Sequence, residues 1–270
     1  MSESFGPVAA GVWQRHTLGQ KLARTALWLV IGVAVMLSLQ SINVIWEFLW
    51  DAPEQMMDMG RRMWPPDLAY YPKTVHAALM ETFHIATLGT LFSMIVALPL
   101  SILAAHNITP SKGLNFLAKT LLVASRSVNS LVWALLFVAV FGPGPLAGTV
   151  AIACRSVGFV GKLLGEALEE VHAGPIEALK AAGSSQSAQI LYGYWPAVKP
   201  AFWSILLLRW DINIRESSVL GLVGAGGLGM VMNAAIDTFQ WERVAVILLT
   251  IFAVVVVTEV VVTAFRRRLL

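Results

Sequence analysis

The chain contains one cysteine, Cys154, among 270 residues. A lone thiol excludes an intramolecular disulfide and any metal site built on several cysteines. Charge is scarce as well. Lys and Arg number 19 and Asp and Glu 16, together 13% of the sequence, whereas a soluble domain of this length would carry about 67 charged side chains. Water is therefore not the solvent for most of the surface. The formal net charge is only +3, and the basic residues are scattered between apolar runs or gathered near the ends. That pattern offers no stripe for a nucleic-acid backbone, so no nucleic-acid partner is expected. No Gly-x-x-x-x-Gly-Lys-Ser/Thr loop occurs, so the chain has no P-loop of its own for ATP. No Ser, His and Asp set suggests catalysis. His76, Glu81 and His84 offer too few ligands for a metal and are read as satisfied polar groups near a helix start.

What the sequence has in abundance is apolar: 57% hydrophobic residues and a mean hydropathy of +0.71. A spanning helix needs about 20 apolar residues, and the runs predict spans at roughly Leu22 to Leu49, Ala77 to Ala105, Phe116 to Phe141, Leu146 to Leu168, Ala197 to Val223 and Val244 to Phe265. The expected fold is an all-α polytopic membrane bundle of about six helices in contact with lipid. The first run exceeds a signal-peptide core and lacks a small-x-small cleavage site, so it is expected to be retained.

Loop charge sets the expected orientation. Arg15, Lys21, Arg24, Lys112, Lys119, Lys162, Lys180, Lys199, Arg266, Arg267 and Arg268 fall on one side, expected to be cytoplasmic with both termini. On the other side Arg61, Arg62 and Lys73 are diluted by Asp51, Glu54, Asp58 and Asp67. Trp46, Trp50, Trp64, Tyr70 and Tyr71 read as an interfacial aromatic belt. The chain divides into a terminal segment at 1–24, an accessory helix with its outer loop at 25–76, a core at 77–265 and a basic end at 266–270.

The segment from Glu166 to Lys199 is far longer than the connections usual between packed helices. Its composition predicts helix, glycine turn, helix: Pro175 suits a first turn and Gly183 a helix end, and Ser184 and Ser185 are N-cap candidates. It resembles the EAA loop of the membrane subunits of ATP-binding cassette (ABC) importers, whose pattern is Glu-Ala-Ala-x-x-x-Gly-x-x-x-x-x-x-x-x-x-Ile-x-Leu-Pro. Glu177, Ala178, Gly183 and Pro196 match, while Leu179, Gly193 and Trp195 depart from it. Other stretches are similar to the phosphonate and phosphite importer permeases in particular. These are Glu81 to Asn107, ending ALPLSILAAHN, then Arg126 to Gly148, with Asn129 where those proteins usually have proline, and Arg215 to Gly229. The matches cover about residues 77 to 265.

The resemblance implies a type I importer permease fold working by alternating access as a homodimer. It also implies two separate ATPase subunits that hold the ATP and Mg, and a periplasmic substrate-binding protein; this chain itself needs no cofactor. Glu177, Ala178, Leu179, Ala182, Gly183, Ser184 and Ser185 would form the coupling segment against the ATPase. GAGGLG from Gly224 to Gly229 satisfies the dinucleotide fingerprint only as a string, because that site requires a strand before it and a helix after it. Gly221, Gly224, Gly226, Gly227 and Gly229 are read as a re-entrant hinge at the outer gate.

Ionisable groups at membrane depth normally face a bundle interior or a wet cavity. Arg126, Asn129, Arg155, Arg209, Asp211 and Arg215 are therefore the candidates for the translocation pathway. Asp211 and Arg215, one helical turn apart, could instead neutralise each other. Arginine pairs bidentately with phosphate-like oxyanions, so the excess of arginine favours an anionic substrate. A methionine or other amino-acid importer permease is the alternative within the class, and a secondary transporter the alternative outside it.

Overall fold

A computed structural model describes residues 18–42 and 46–269. Arg15 and the rest of residues 1–17 of the expected terminal segment at 1–24 lie outside them, as do residues 43–45 and Leu270. The chain divides into two compact units, residues 1–58 and 59–270.

In the first unit, α1 (Leu18–Ser41) carries Lys21 and Arg24 in its first two turns and is largely apolar beyond them, and its 23-residue stretch Gly19–Ser41 has a hydropathy of 2.0 with nothing buried. The expected span runs on to Leu49, but α1 ends at Ser41 and residues 43–45 lie outside the described ones. A separate helix, α2 (Trp46–Arg62), follows, with its last turn in the second unit. Glu47, Asp51, Glu54 and Asp58 recur at helical spacing on α2 while Trp46, Leu49, Trp50 and Met57 line another side, which makes the helix amphipathic. These charges interrupt the apolar run from Glu47 onward. Much of the stretch read from sequence as a polar loop is thus helical.

The second unit is helical throughout its described elements. A π-helical turn (Tyr71–Val75) leads into α3 (His76–Ala104), followed by α4 (Lys112–Ser127), α5 (Ser130–Phe141) and α6 (Pro145–Glu169). Next come α7 (Ala173–Ala181), the short α8 (Gln186–Ala188) running into a π-helical turn (Gln189–Tyr194), and α9 (Trp195–Leu220). A 3-10 turn (Gly221–Val223), α10 (Gly227–Asp237) and α11 (Trp241–Leu269) complete it. Among the described residues five helical stretches are long and apolar enough to cross a membrane, or up to six if the bent pair α4 and α5 counts as one. The expected all-α membrane bundle is the fold observed.

The third expected span, Phe116 to Phe141, is not one continuous helix. It bends by 87° between Ser127 and Ser130. Val128 and Asn129 are extended there, and the Asn129 carboxamide oxygen accepts the Leu131 N–H at 3.1 Å. This N-cap replaces a lost helical bond. Hydropathy could not register the bend, since α4 and α5 taken together are apolar enough for one span, although α4 itself carries Lys112, Lys119 and Arg126.

Small residues let the central helices approach closely, as in membrane bundles generally. Gly89 on α3 faces Ile152 and the Thr149 carbonyl on α6, and Gly158 on α6 lies against the Leu122 carbonyl and the Arg126 backbone on α4. Polar contacts join α9 to α3: Trp210 Nε1 donates to Thr87 Oγ1 at 3.0 Å, Asn213 Nδ2 to Thr90 Oγ1 at 2.8 Å, and Ser217 Oγ to the Thr82 carbonyl at 3.2 Å. With no water at this depth, each would otherwise stand as an unsatisfied polar group.

Candidate functional site

Three of the pathway candidates meet. Arg126 from α4 and Arg155 from α6 line one cavity of about 300 Å³ with Arg209 from α9, alongside Val123, Ser127 and Phe159. Liquid water occupies about 30 Å³ per molecule, so the space suits a small hydrated solute. Arg209 is almost fully buried and held on several sides. Its Nε donates to Ser156 Oγ at 2.9 Å, its guanidinium lies 5.3 Å from the Phe159 ring centre, and its Nη2 lies 3.4 Å from Glu216 Oε2. Ser156 Oγ in turn donates to Asn213 Oδ1 at 3.2 Å, which continues the network to Thr90 on α3. Arg155 pairs with the other oxygen of the same carboxylate, Glu216 Oε1. Arg126 is exposed and has no ion-pair partner among the described residues.

The local balance is therefore three guanidiniums against one carboxylate. Arg126 also lines an adjoining cavity of about 270 Å³ between α4 and α6. There Lys119 pairs with Glu169 at 3.4 Å and Lys162 with Glu166 at 3.3 Å.

The remaining candidates stand apart from the first cavity. Asn129 caps α5. Arg215 pairs with Asp211 one turn earlier on α9 and with Glu259 on α11 at 3.1 Å.

The glycine segment forms a turn between α9 and α10. Gly224, Gly226 and Gly227 have φ of 87°, 85° and 70°, values that residues with a Cβ rarely adopt. Gly221 and Gly229 pack backbone against backbone. The Gly224 carbonyl accepts the Gly144 N–H at 2.9 Å, so this turn meets the Gly142 to Pro145 turn before α6. The Leu228 N–H, in the first turn of α10, is bound by Thr82 Oγ1 of α3 at 2.9 Å.

At the far end of α3 the chain returns through the segment expected to couple to the ATPase, which holds α7 and α8. Thr82 and Ala104 are separated by about 33 Å at 1.5 Å per residue, close to the roughly 30 Å of a bilayer core. The two features thus occupy opposite ends of the helical core. Asn107 Nδ2 donates to the Leu168 carbonyl at 2.9 Å and Gln186 Nε2 to the Ile108 carbonyl at 2.7 Å, tying the segment to the α3–α4 connection. Within it, Ile176 is buried and Leu179 half-buried, whereas Glu177, Ala178, Ala182, Gly183 and Ser185 are exposed. Gly183 ends α7 with φ 76°, and Ser185 Oγ caps α8. Ser184 Oγ is a buried hydroxyl with no hydrogen-bond partner among the described residues.

A family model described as "Binding-protein-dependent transport system inner membrane component" matches residues 97–270. The chain belongs to that family. This permease is 38% identical over 194 residues to the putative phosphite transport system permease protein HtxC of Stutzerimonas stutzeri, covering 72% of this chain and 68% of the relative. It is 37% identical over 195 residues to the phosphite transport system permease protein PtxC of the same organism, covering 72% and 70%. In fold it is similar to a chain of the MetNI methionine ABC transporter in an inward-facing conformation, with TM-score 0.63, 18% identity and 73% and 96% of the two chains covered. The resemblance to the phosphonate and phosphite importer permeases is borne out at the level of family, and the importer permease fold with it.

Sequence reasoning left Glu216 out of the pathway set, together with Phe159, Asn213 and Thr90. A signal for Glu216 existed, since Arg209 and Glu216 stand seven residues apart, two turns along one face of the permease's α9. Its second partner, Arg155 on α6, had no such signal because nothing in the sequence pairs those helices.

Two departures from the EAA pattern also acquire a physical reason. Leu179 stands where the pattern has Ala, and Gly193 where it has Ile. A Cβ built on Gly193 would come within 3.0 Å of Leu179 Cδ1 and 2.5 Å of Ile176 Cδ1. The large residue on one side of the contact is compensated by the small one on the other.

Proposed function

We propose that this permease carries a small phosphorus oxyanion, a phosphonate or phosphite, into the cytoplasm across the bacterial inner membrane by ATP-driven alternating access. The observation that carries the reading is the cavity where Arg126, Arg155 and Arg209 converge with only Glu216 to balance them. A small multivalent oxyanion is the solute that such an arrangement favours. The names of the relatives at 37 and 38% identity support the same choice.

In this reading two copies of the chain form the conduit, with both termini cytoplasmic. Two ATPase subunits bind ATP and Mg, and a periplasmic protein delivers the substrate. Glu177, Ala178, Ala182, Gly183 and Ser185, exposed on the coupling segment, meet the ATPase. The glycine turn from Gly221 to Gly229 serves the outer gate, an arrangement supported by its placement at the opposite end of α3. The cavity guides the ion weakly enough to release it, and the adjoining space that shares Arg126 leads toward the coupling end.

The test is radiolabelled uptake into proteoliposomes that contain the permease, its ATPase and its binding protein. Phosphite and methylphosphonate are expected to be taken up at least tenfold faster than methionine or choline. A preference for the neutral or cationic solutes would overturn the reading.

A further inference from the structure

Glu216 occupies an unusual position for a residue beside an anion path, because it offers the cavity arginines the same chemistry that the substrate would. Its two oxygens divide between two guanidiniums from different helices, Oε1 to Arg155 and Oε2 to Arg209. Glu216 is mostly buried, with 16% of its side chain exposed. The two arginines are not held alike. Arg209 keeps Ser156 Oγ and the Phe159 ring whatever Glu216 does, and only 3% of its side chain is exposed. Arg155 has Glu216 as its sole ion-pair or side-chain hydrogen-bond partner among the described residues, and 31% of its side chain is exposed at the cavity. Arg126, across the same cavity, has no carboxylate partner among them.

We propose that Glu216 is a resident counter-anion that the substrate displaces from Arg155, which makes it a residue that sets both charge selectivity and release. Resting on the oxyanion reading of the cavity, this assigns the three arginines different duties. In the empty permease Arg155 is pinned to Glu216, and Arg126 alone is available to an entering ion. A singly charged oxyanion is satisfied by Arg126. A doubly charged one competes with Glu216, draws the exposed Arg155 across, and is held bidentately from two sides. Glu216 stays anchored to Arg209 and remains poised to recapture Arg155, so exit is driven by re-formation of the internal pair. A carboxylate here keeps a basic cavity from becoming a trap.

The experiment compares two probes of similar shape in the complete transporter in proteoliposomes at pH 8.5: methylphosphonate, a dianion, and its monomethyl ester, a monoanion. Saturation of the binding protein by each probe is measured separately, and maximal uptake rates are compared under saturation. In Glu216→Gln, Arg155 has no competing anion, so maximal uptake of the dianion is expected to fall at least fivefold relative to the monoester. Glu216→Asp retains the charge with a shorter reach and is expected to shift the ratio in the same direction, by a smaller factor. It also serves if the Gln variant fails to assemble. A purely structural Glu216 would lower yield or uptake of both probes in equal proportion, and an unchanged ratio in both variants overturns the proposal. Arg126→Gln separates this failure from failure of the cavity reading. If it depresses uptake of both probes while the Glu216 variants leave the ratio fixed, the oxyanion path stands and the exchange does not. If it changes neither uptake, both fall.

Discussion

Leu228 donates its backbone N–H to the hydroxyl of Thr82 at 2.9 Å, while the same hydroxyl donates to the Ala78 carbonyl at 2.9 Å. Thr82 is completely buried, and its carbonyl also accepts from Ser217 Oγ on α9. One residue of α3 thus secures both helices that flank the glycine turn, its hydroxyl holding α10 and its backbone carbonyl α9. Because Leu228 is one of the first residues of α10, its N–H has no carbonyl within the helix to bind.

Thr82→Val keeps the shape and removes the acceptor. The orphaned buried N–H should cost about 1–3 kcal/mol, seen as a lower unfolding midpoint in detergent. Thr82→Ser should recover most of it, because the hydroxyl returns and only a methyl is lost.

Gly226→Ala tests the turn itself. With φ 85° and ψ −176°, the residue lies in a region open essentially to glycine, where strain costs roughly 1–3 kcal/mol. A Cβ would also sit 2.6 Å from Glu81 Oε1 and 3.0 Å from the Pro145 nitrogen. Uptake is expected to fall at least tenfold, with ATPase activity retained in the assembled complex. Gly113→Ala is the control. There the nearest atom is Ser111 Oγ at 4.0 Å, and alanine is the better helix former, so uptake and stability should be unchanged or slightly improved.

The segment from α7 to α9, proposed to meet the ATPase, makes a paired prediction. Gly193→Ile should destabilise the permease by about 1–3 kcal/mol through overpacking against Leu179 and Ile176. Leu179→Ala removes half-buried packing and should cost somewhat less than the 2–5 kcal/mol of a full core truncation. The double variant restores the residues of the EAA pattern at both positions and should be more stable than the sum of the single effects, a coupling measurable as a double-mutant cycle. Strict additivity would show that the two sites do not compensate.

Just past the C-terminal end of α7, Gly183→Ala probes conformation alone, since nothing lies within 4 Å of its Cβ position. Its left-handed φ of 76° should cost about 1–2 kcal/mol with a Cβ present, lowering stability slightly and leaving stimulation of the ATPase by binding protein largely intact. Gly183→Arg adds bulk at the exposed face and should abolish that stimulation while the permease still folds. If stimulation survives the arginine, the surface that meets the ATPase lies elsewhere.

Much of this molecule was legible without coordinates. The shortage of charge forced a membrane protein, because 57% hydrophobic residues cannot be hidden inside a fold of this size and must meet lipid. The lengths of the apolar runs set the spans to within a few residues at α3, α6 and α11, and the helix, turn, helix pattern of the coupling segment followed from Pro175, Gly183 and Ser185. Each of these depends on neighbours in the chain, which is the information a sequence carries directly. Tertiary structure alone decided the bend at Asn129, whose two arms read as one run. It also decided which intramembrane charges belong together. Asp211 and Arg215 were visible as a pair because they share one helix, but Arg155 and Glu216 meet only where α6 packs on α9, and the close packing of small residues that brings central helices together has no period in the sequence to announce it.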